Sequence, residues 1–153
     1  MSKRLTLAVA VAFVVASAAG ATIALGQGGG GSDDTLTARL TGNNESPRGD
    51  TNGKGAAGVT ISGNRVCLAI SYADLSRVAA AHIHRGARGQ NGPIVVDPKF
   101  TGGPGARGTL GRCVTPNPGT TAAQIRSNPG GFYVNVHSSE FPGGAIRGQL
   151  SRR

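Results

Sequence analysis

The residue types best suited to chemistry in this chain are its three histidines: His82 and His84 in AAHIHRGARGQNGP, and His137 in GFYVNVHSSEFPGG. An imidazole can bind a transition metal, carry a proton, or hold a loop through its two ring nitrogens. Residues two apart on a strand share a face, with Cα atoms roughly 6.5–7 Å apart. His82 and His84 can therefore converge on one ion. If strand 78–84 lies beside strand 131–137, His137 completes a three-histidine set suited to copper or zinc. An architectural reading stands ahead of this one. Imidazoles set among Asn, Arg and Gln can pin loops 85–93 and 138–144 to a shared polar patch without any metal. Catalysis has the least support, since no paired carboxylates, nucleophile elbow or CxxC motif accompanies the histidines.

The elements that must position these groups are strands. Helical periodicity is nearly absent. Short alternating runs recur at 35–41, 55–62, 65–72, 78–84, 93–97, 106–114, 131–137 and 145–150, bounded by Gly, Pro, Asn and Asp. Such a pattern predicts an all-β antiparallel Greek-key sandwich or barrel of about eight strands. SGN at 62–64 predicts a tight hairpin between the second and third runs. One short helix is expected near 120–127, capped by Thr120 and stopped by Asn128-Pro129.

Alternation assigns faces. Phe132, Val134 and Val136 share one side of their strand, and Tyr133, Asn135 and His137 the other. Ile146 and Leu150 point inward, while Ala145, Arg147 and Gln149 point outward. Directly opposed residues lie on the same face, so register follows from the apolar pattern. Pairing His137 with Ala145 sets Asn135 against Arg147 and Tyr133 against Gln149. Tyr133, Asn135, His137, Arg147 and Gln149 then form one polar patch.

The chain divides into three parts. Residues 1–21 have a basic start at Lys3 and Arg4, an apolar run and small residues at the end, the layout of a secretory signal. The rival is an uncleaved anchor extending to about residue 25, which also exports the remainder. That anchor would be the one membrane contact. Residues 22–34, with GQGGGGSDD, form a flexible linker. Residues 35–153 form the folded domain. Its aromatic content is light, and Cys67 and Cys113 are expected to pair, as two cysteines of an exported chain usually do. The net charge is +9. The basic residues are scattered, with no basic helix and no basic run interleaved with aromatics, so specific nucleic-acid recognition is not supported.

Three further motifs have weak readings. GARGQNG lacks the following helix that a phosphate cradle needs and reads as a turn. RGD at 48–50 is discounted as a chance match, and Asn44-Glu45-Ser46 fits a glycosylation acceptor.

The blocks LTGNNESP, AAHIHRGARGQNGPIVV and GFYVNVHSSEFPGGAIRGQL resemble the CHRD domain, named after chordin, over roughly 36–150. The resemblance implies an all-β extracellular domain. It marks His82, His84, Asn91, Gly92, Pro93, Asn135, His137, Arg147 and Gln149 as signature positions without saying what they do. Arg85 departs from the Gly usual after HIH. Ala145 departs from the acidic residue usual before IRGQ, which leaves Arg147 short of a loop partner. The layout also resembles copper–zinc superoxide dismutase, but that enzyme needs more histidines than this chain has.

Two function classes remain. One is a non-catalytic extracellular binding or structural module, secreted or held at the cell envelope, touching an extracellular protein or envelope polymer. The other is a copper- or zinc-binding domain on His82, His84 and His137, with redox activity as an extension.

Overall fold

The computed structural model describes residues 35–100, 102–103 and 105–153. The secretory-signal and linker readings of residues 1–34 lie outside the described residues.

Alternating residues drive strand formation throughout. In β3 (Arg65–Ala73) Val66, Leu68, Ile70 and Tyr72 are buried while Arg65, Ala69 and Ser71 face out. β1 (Thr35–Thr41) and β2 (Lys54–Ser62) repeat the pattern, burying Leu36 and Leu40, Val59 and Ile61. Ser62 pairs with Arg65 across a two-residue turn, where Gly63 takes the left-handed φ of 57° that the reversal needs. The remaining strands are β4 (Val78–Arg85), β5 (Ile94–Val96), β6 (Arg107–Val114), β7 (Phe132–Ser138), β8 (Ile146–Gln149) and β9 (Ser151–Arg152). The last is a short addition to β1 that its polar sequence does not announce.

The strands form one antiparallel sheet in the order β5-β4-β7-β8-β1-β2-β3-β6. β7 returns to lie between β4 and β8, and β8 joins β1, as a Greek-key connection requires. Val78 also bridges Gly103 on the segment leading into β6, so the two ends of the sheet approach and the barrel nearly closes. The inward faces meet in one apolar core that includes Leu40, Leu68, Ile83, Val136, Ile146 and Leu150. Cys67 and Cys113 sit directly opposite each other on β3 and β6 and are joined by a disulfide. Closing a loop across a sequence separation of 46 restricts the unfolded chain by about 4 kcal/mol in the chain-entropy picture.

Two local expectations change. The helix α1 (Ala122–Ser127) is capped by Thr121, not Thr120. Thr121 Oγ1 accepts from Gln124 N at 3.2 Å, and Gln124 Oε1 accepts from Thr121 N at 3.0 Å, a capping box. Thr120 instead accepts from the Arg85 guanidinium at 3.0 Å. Ala145, expected to face out, is fully buried in the core. It precedes β8, and Gly144 with φ 142° turns the chain before it, so strand alternation does not yet apply.

Candidate metal centre

Strand register builds the centre. His82 pairs with Asn135, which pairs with Arg147, and His84 pairs with Tyr133, which pairs with Gln149. His137 pairs with Ala80. Since directly opposed residues share a face, β4, β7 and β8 together carry a polar grid on the side away from Ile83, Val134 and Ile146. The expected register between β7 and β8 is present. The expected solvent exposure is not: every residue of β7 is buried except the half-buried His137, and Arg147 is 2% exposed.

Loops cover this face because Arg147 requires it. A guanidinium removed from water must be surrounded by acceptors. Its Nη1 donates to Asn91 Oδ1 at 2.9 Å, and its Nη2 donates to Ala87 O at 3.4 Å and to Gln90 O. Its central carbon lies 3.5 Å from the Tyr133 ring centroid, a cation–π contact. Both terminal nitrogens of Arg147 thus have partners although Ala145 is not acidic. Asn91 also donates to Ser46 O at 2.6 Å, tying loop 86–93 to the loop after β1. Gln149 Nε2 lies within hydrogen-bonding distance of the carbonyls of Gly86, Gly130 and Phe132. Gly92 is required where it stands, because a Cβ there would lie 1.8 Å from Arg85 O. Its N–H donates to Tyr133 Oη at 3.3 Å, and Pro93 O accepts from Arg85 N at 3.0 Å. Arg85, the departure after HIH, reaches Thr120 and Gln124 at α1 and lies over the Phe132 ring.

The same loops orient the imidazoles. His84 Nδ1 donates to Gly92 O at 2.9 Å, and its ring stacks on Tyr133 at 4.9 Å between centroids. His137 Nδ1 donates to Pro142 O at 2.8 Å. Carbonyls only accept, so both protons are assigned to Nδ1, and each neutral ring keeps a bare Nε2. His84 Nε2 is buried with no hydrogen-bond partner among the described residues. His137 Nε2 lies 3.2 Å from His82 Nδ1. One ring nitrogen from each histidine lies within 4.8 Å of the other two. With metal–nitrogen bonds of about 2.0–2.1 Å, a tetrahedral ion needs its ligand nitrogens about 3.4 Å apart, so loading requires ring movements on the order of an ångström.

Electrostatics keep His82 and His84 neutral. Burial, aided by the neighbouring His137, pushes His82 down from 6.5 to about 4, and Asp97 only partly offsets this. Burial also lowers His84. Neutral imidazole is the form that binds metal.

Sequence reasoning missed two carboxylates beside this face. Glu45 is buried, and burial raises its pKa to about 7 against the opposing pull of Arg147. It belongs to the Asn44-Glu45-Ser46 motif, whose Asn44 Nδ2 is engaged, donating to Arg147 O at 3.1 Å. Asn135 lies close enough to favour ionised Glu45 and protonated His84, yet its Oδ1, like Glu45 Oε1, makes no hydrogen bond among the described residues. Asp97 Oδ1 lies 3.7 Å from His82 Nε2. Neither carboxylate had a sequence signal, because each meets the grid only through the fold. Within RGD, Asp50 is buried and accepts from Asn52 N and Gly53 N, which makes it a turn residue.

An all-β barrel with a loop-covered polar face carrying three histidines is the class that fold and site define. The CHRD-domain family model matches residues 36–150, and the chain belongs to that family. No curated protein and no solved structure matches it.

The covered face generates three predictions. Arg147→Lys retains the charge but loses the planar fork and the stacking on Tyr133, so chemical denaturation should show a loss of about 3 kcal/mol. Glu45→Gln should act through pH. Wild-type Glu45 holds a proton in the fold that the unfolded chain releases, so its contribution to stability is lost as pH rises from 4.5 to about 7. In thermal melts the variant should gain on wild type across that window; a difference independent of pH would contradict this. His82 has the opposite sign, costing stability as pH falls from 6.5 to about 4.

Proposed function

We propose that this CHRD domain is an exported binding module that holds one transition-metal ion, copper or zinc, on His82, His84 and His137. The observation that carries the reading is the buried His84 Nε2, which makes no hydrogen bond among the described residues and belongs to a cluster offering one ring nitrogen from each histidine within 4.8 Å of the others. A purely architectural histidine would use both nitrogens or leave the second in water. The outward nitrogens of His84 and His137 are tied to Gly92 O and Pro142 O, the kind of outer support that metal-binding imidazoles use. Three imidazoles without thiolate suit copper or zinc rather than calcium or magnesium. Both cysteines are consumed in the disulfide across β3 and β6.

Export is supported by that disulfide and by the basic-then-apolar start of the sequence. The module is secreted or held at the cell envelope. It acts on an extracellular protein or envelope polymer through the loops that its polar face organises, as a binding and not a catalytic element. The architectural reading has its own supporting observation: His84 and His137 each hold a loop carbonyl. The two roles are compatible, since one nitrogen of each ring serves each.

Calorimetric titration of the purified protein with Cu(II) and Zn(II), beside a His82→Ala/His84→Ala/His137→Ala variant, separates them. The expected result is one ion per chain in the wild type and none in a variant that keeps its β-sheet circular dichroism. Absence of binding in the wild type, with the variant merely less stable, would leave the histidines architectural.

A further inference from the structure

The proton on His82 stands where an ion would bind. His137 Nδ1 donates to Pro142 O, and in that tautomer its Nε2 is the acceptor. His82 Nδ1 lies 3.2 Å from that nitrogen, so His82 must supply the hydrogen between them. The other nitrogen, His82 Nε2, is then bare and faces the Asp97 carboxylate at 3.7 Å. That distance is beyond a hydrogen bond.

Asp97 is held in this position by its own turn. Its Oδ1 accepts from Lys99 N at 2.9 Å, and its Oδ2 is 2.5 Å from Lys99 Nζ. Lys99 takes a left-handed backbone with φ 54°, unfavourable for a residue with a side chain, within this turn. Arg112 on β6 fixes the turn from outside, donating to Pro98 O at 3.0 Å and Lys99 O at 3.2 Å. Lys99 is largely exposed, whereas the Asp97 and His82 side chains are 19% and 13% exposed. The turn thus places one ionised carboxylate, with lone pairs to spare, against the outer nitrogen of His82.

Resting on the three-histidine reading, we propose that Asp97 is the positioning residue that lets His82 change tautomer when an ion arrives. The His82 Nδ1–H bond breaks and an Nε2–H bond forms, with the proton exchanged through water. The imidazole stays neutral and no net proton is released from it. The freed Nδ1 lone pair joins His137 Nε2 and His84 Nε2 as a ligand, and the new Nε2–H donates to Asp97 Oδ1. Carboxylate partners of this kind orient metal-binding imidazoles and raise their basicity. Without Asp97 the Nε2–H tautomer loses its carboxylate acceptor, and the Nδ1–H hydrogen bond to His137 competes with the ion.

The test reads the tautomer directly. Two-bond proton–nitrogen NMR correlations on 15N-labelled protein distinguish Nδ1–H from Nε2–H, and Zn(II) is a suitable diamagnetic probe. His82 should be Nδ1–H without metal and Nε2–H with Zn(II). Asp97→Ala should weaken Zn(II) binding about 10–100-fold. Lys99→Ala breaks the same ion pair but keeps the carboxylate, and it should bind near the wild-type affinity. Zn(II) bound while His82 keeps Nδ1–H would overturn the role of Asp97 alone. Equal weakening in both variants would do the same, by assigning the effect to the turn. Failure of the wild type to bind Zn(II) would overturn the three-histidine reading and this role with it.

Discussion

The buried positive charge of Arg147 is the constraint from which the rest of the polar face follows. A guanidinium 2% exposed has lost its hydration, and no neighbouring residue on β8 can replace it. The fold answers with carbonyls at Ala87 and Gln90, the Asn91 side chain, and the face of Tyr133. These acceptors belong mostly to one loop, so satisfying the charge also fixes that loop. The loop then ends at Gly92, whose carbonyl holds His84 Nδ1. A charge on β8 therefore decides which nitrogen of a histidine on β4 carries its proton.

The same constraint explains why the face is kept dry enough to hold neutral imidazoles. Covering Arg147 also covers Tyr133 and Asn135, and the resulting desolvation lowers His82 and His84 and raises Glu45. Burial of charge is costly, and replacing such groups with apolar ones is often neutral or stabilising in other proteins. Here the polar face carries atoms that make no hydrogen bond among the described residues: His84 Nε2, Asn135 Oδ1 and Glu45 Oε1. The sheet could have buried an apolar second layer. Instead it buries a grid of polar side chains held by the covering loops.

Much of the scaffold was legible in the sequence. Alternation in GFYVNVH and AIRGQL requires Val134, Val136, Ile146 and Leu150 to share the core, and only one register then puts Asn135 beside Arg147. The HxH spacing placed His82 and His84 on one face for the same reason. The covering of that face was not legible, because no local pattern marks a loop that folds back onto a strand. Asp97 lies beside His82 only because β5 pairs with β4 and the following turn is fixed by Arg112. Glu45 reaches the grid from the loop after β1, across the β1–β8 pairing. Ala145 misled because alternation was extended one residue beyond the strand, and β9 was missed because SRR has no apolar residue to alternate.

The most direct measurement of the central claim is anomalous X-ray diffraction from crystals of the protein grown with copper or zinc, collected at the edge of the metal used. The account predicts one strong anomalous peak at His82, His84 and His137, with three ring nitrogens at about 2.0–2.1 Å from it. A map with no peak there, and the His82–His137 hydrogen bond intact, would contradict it.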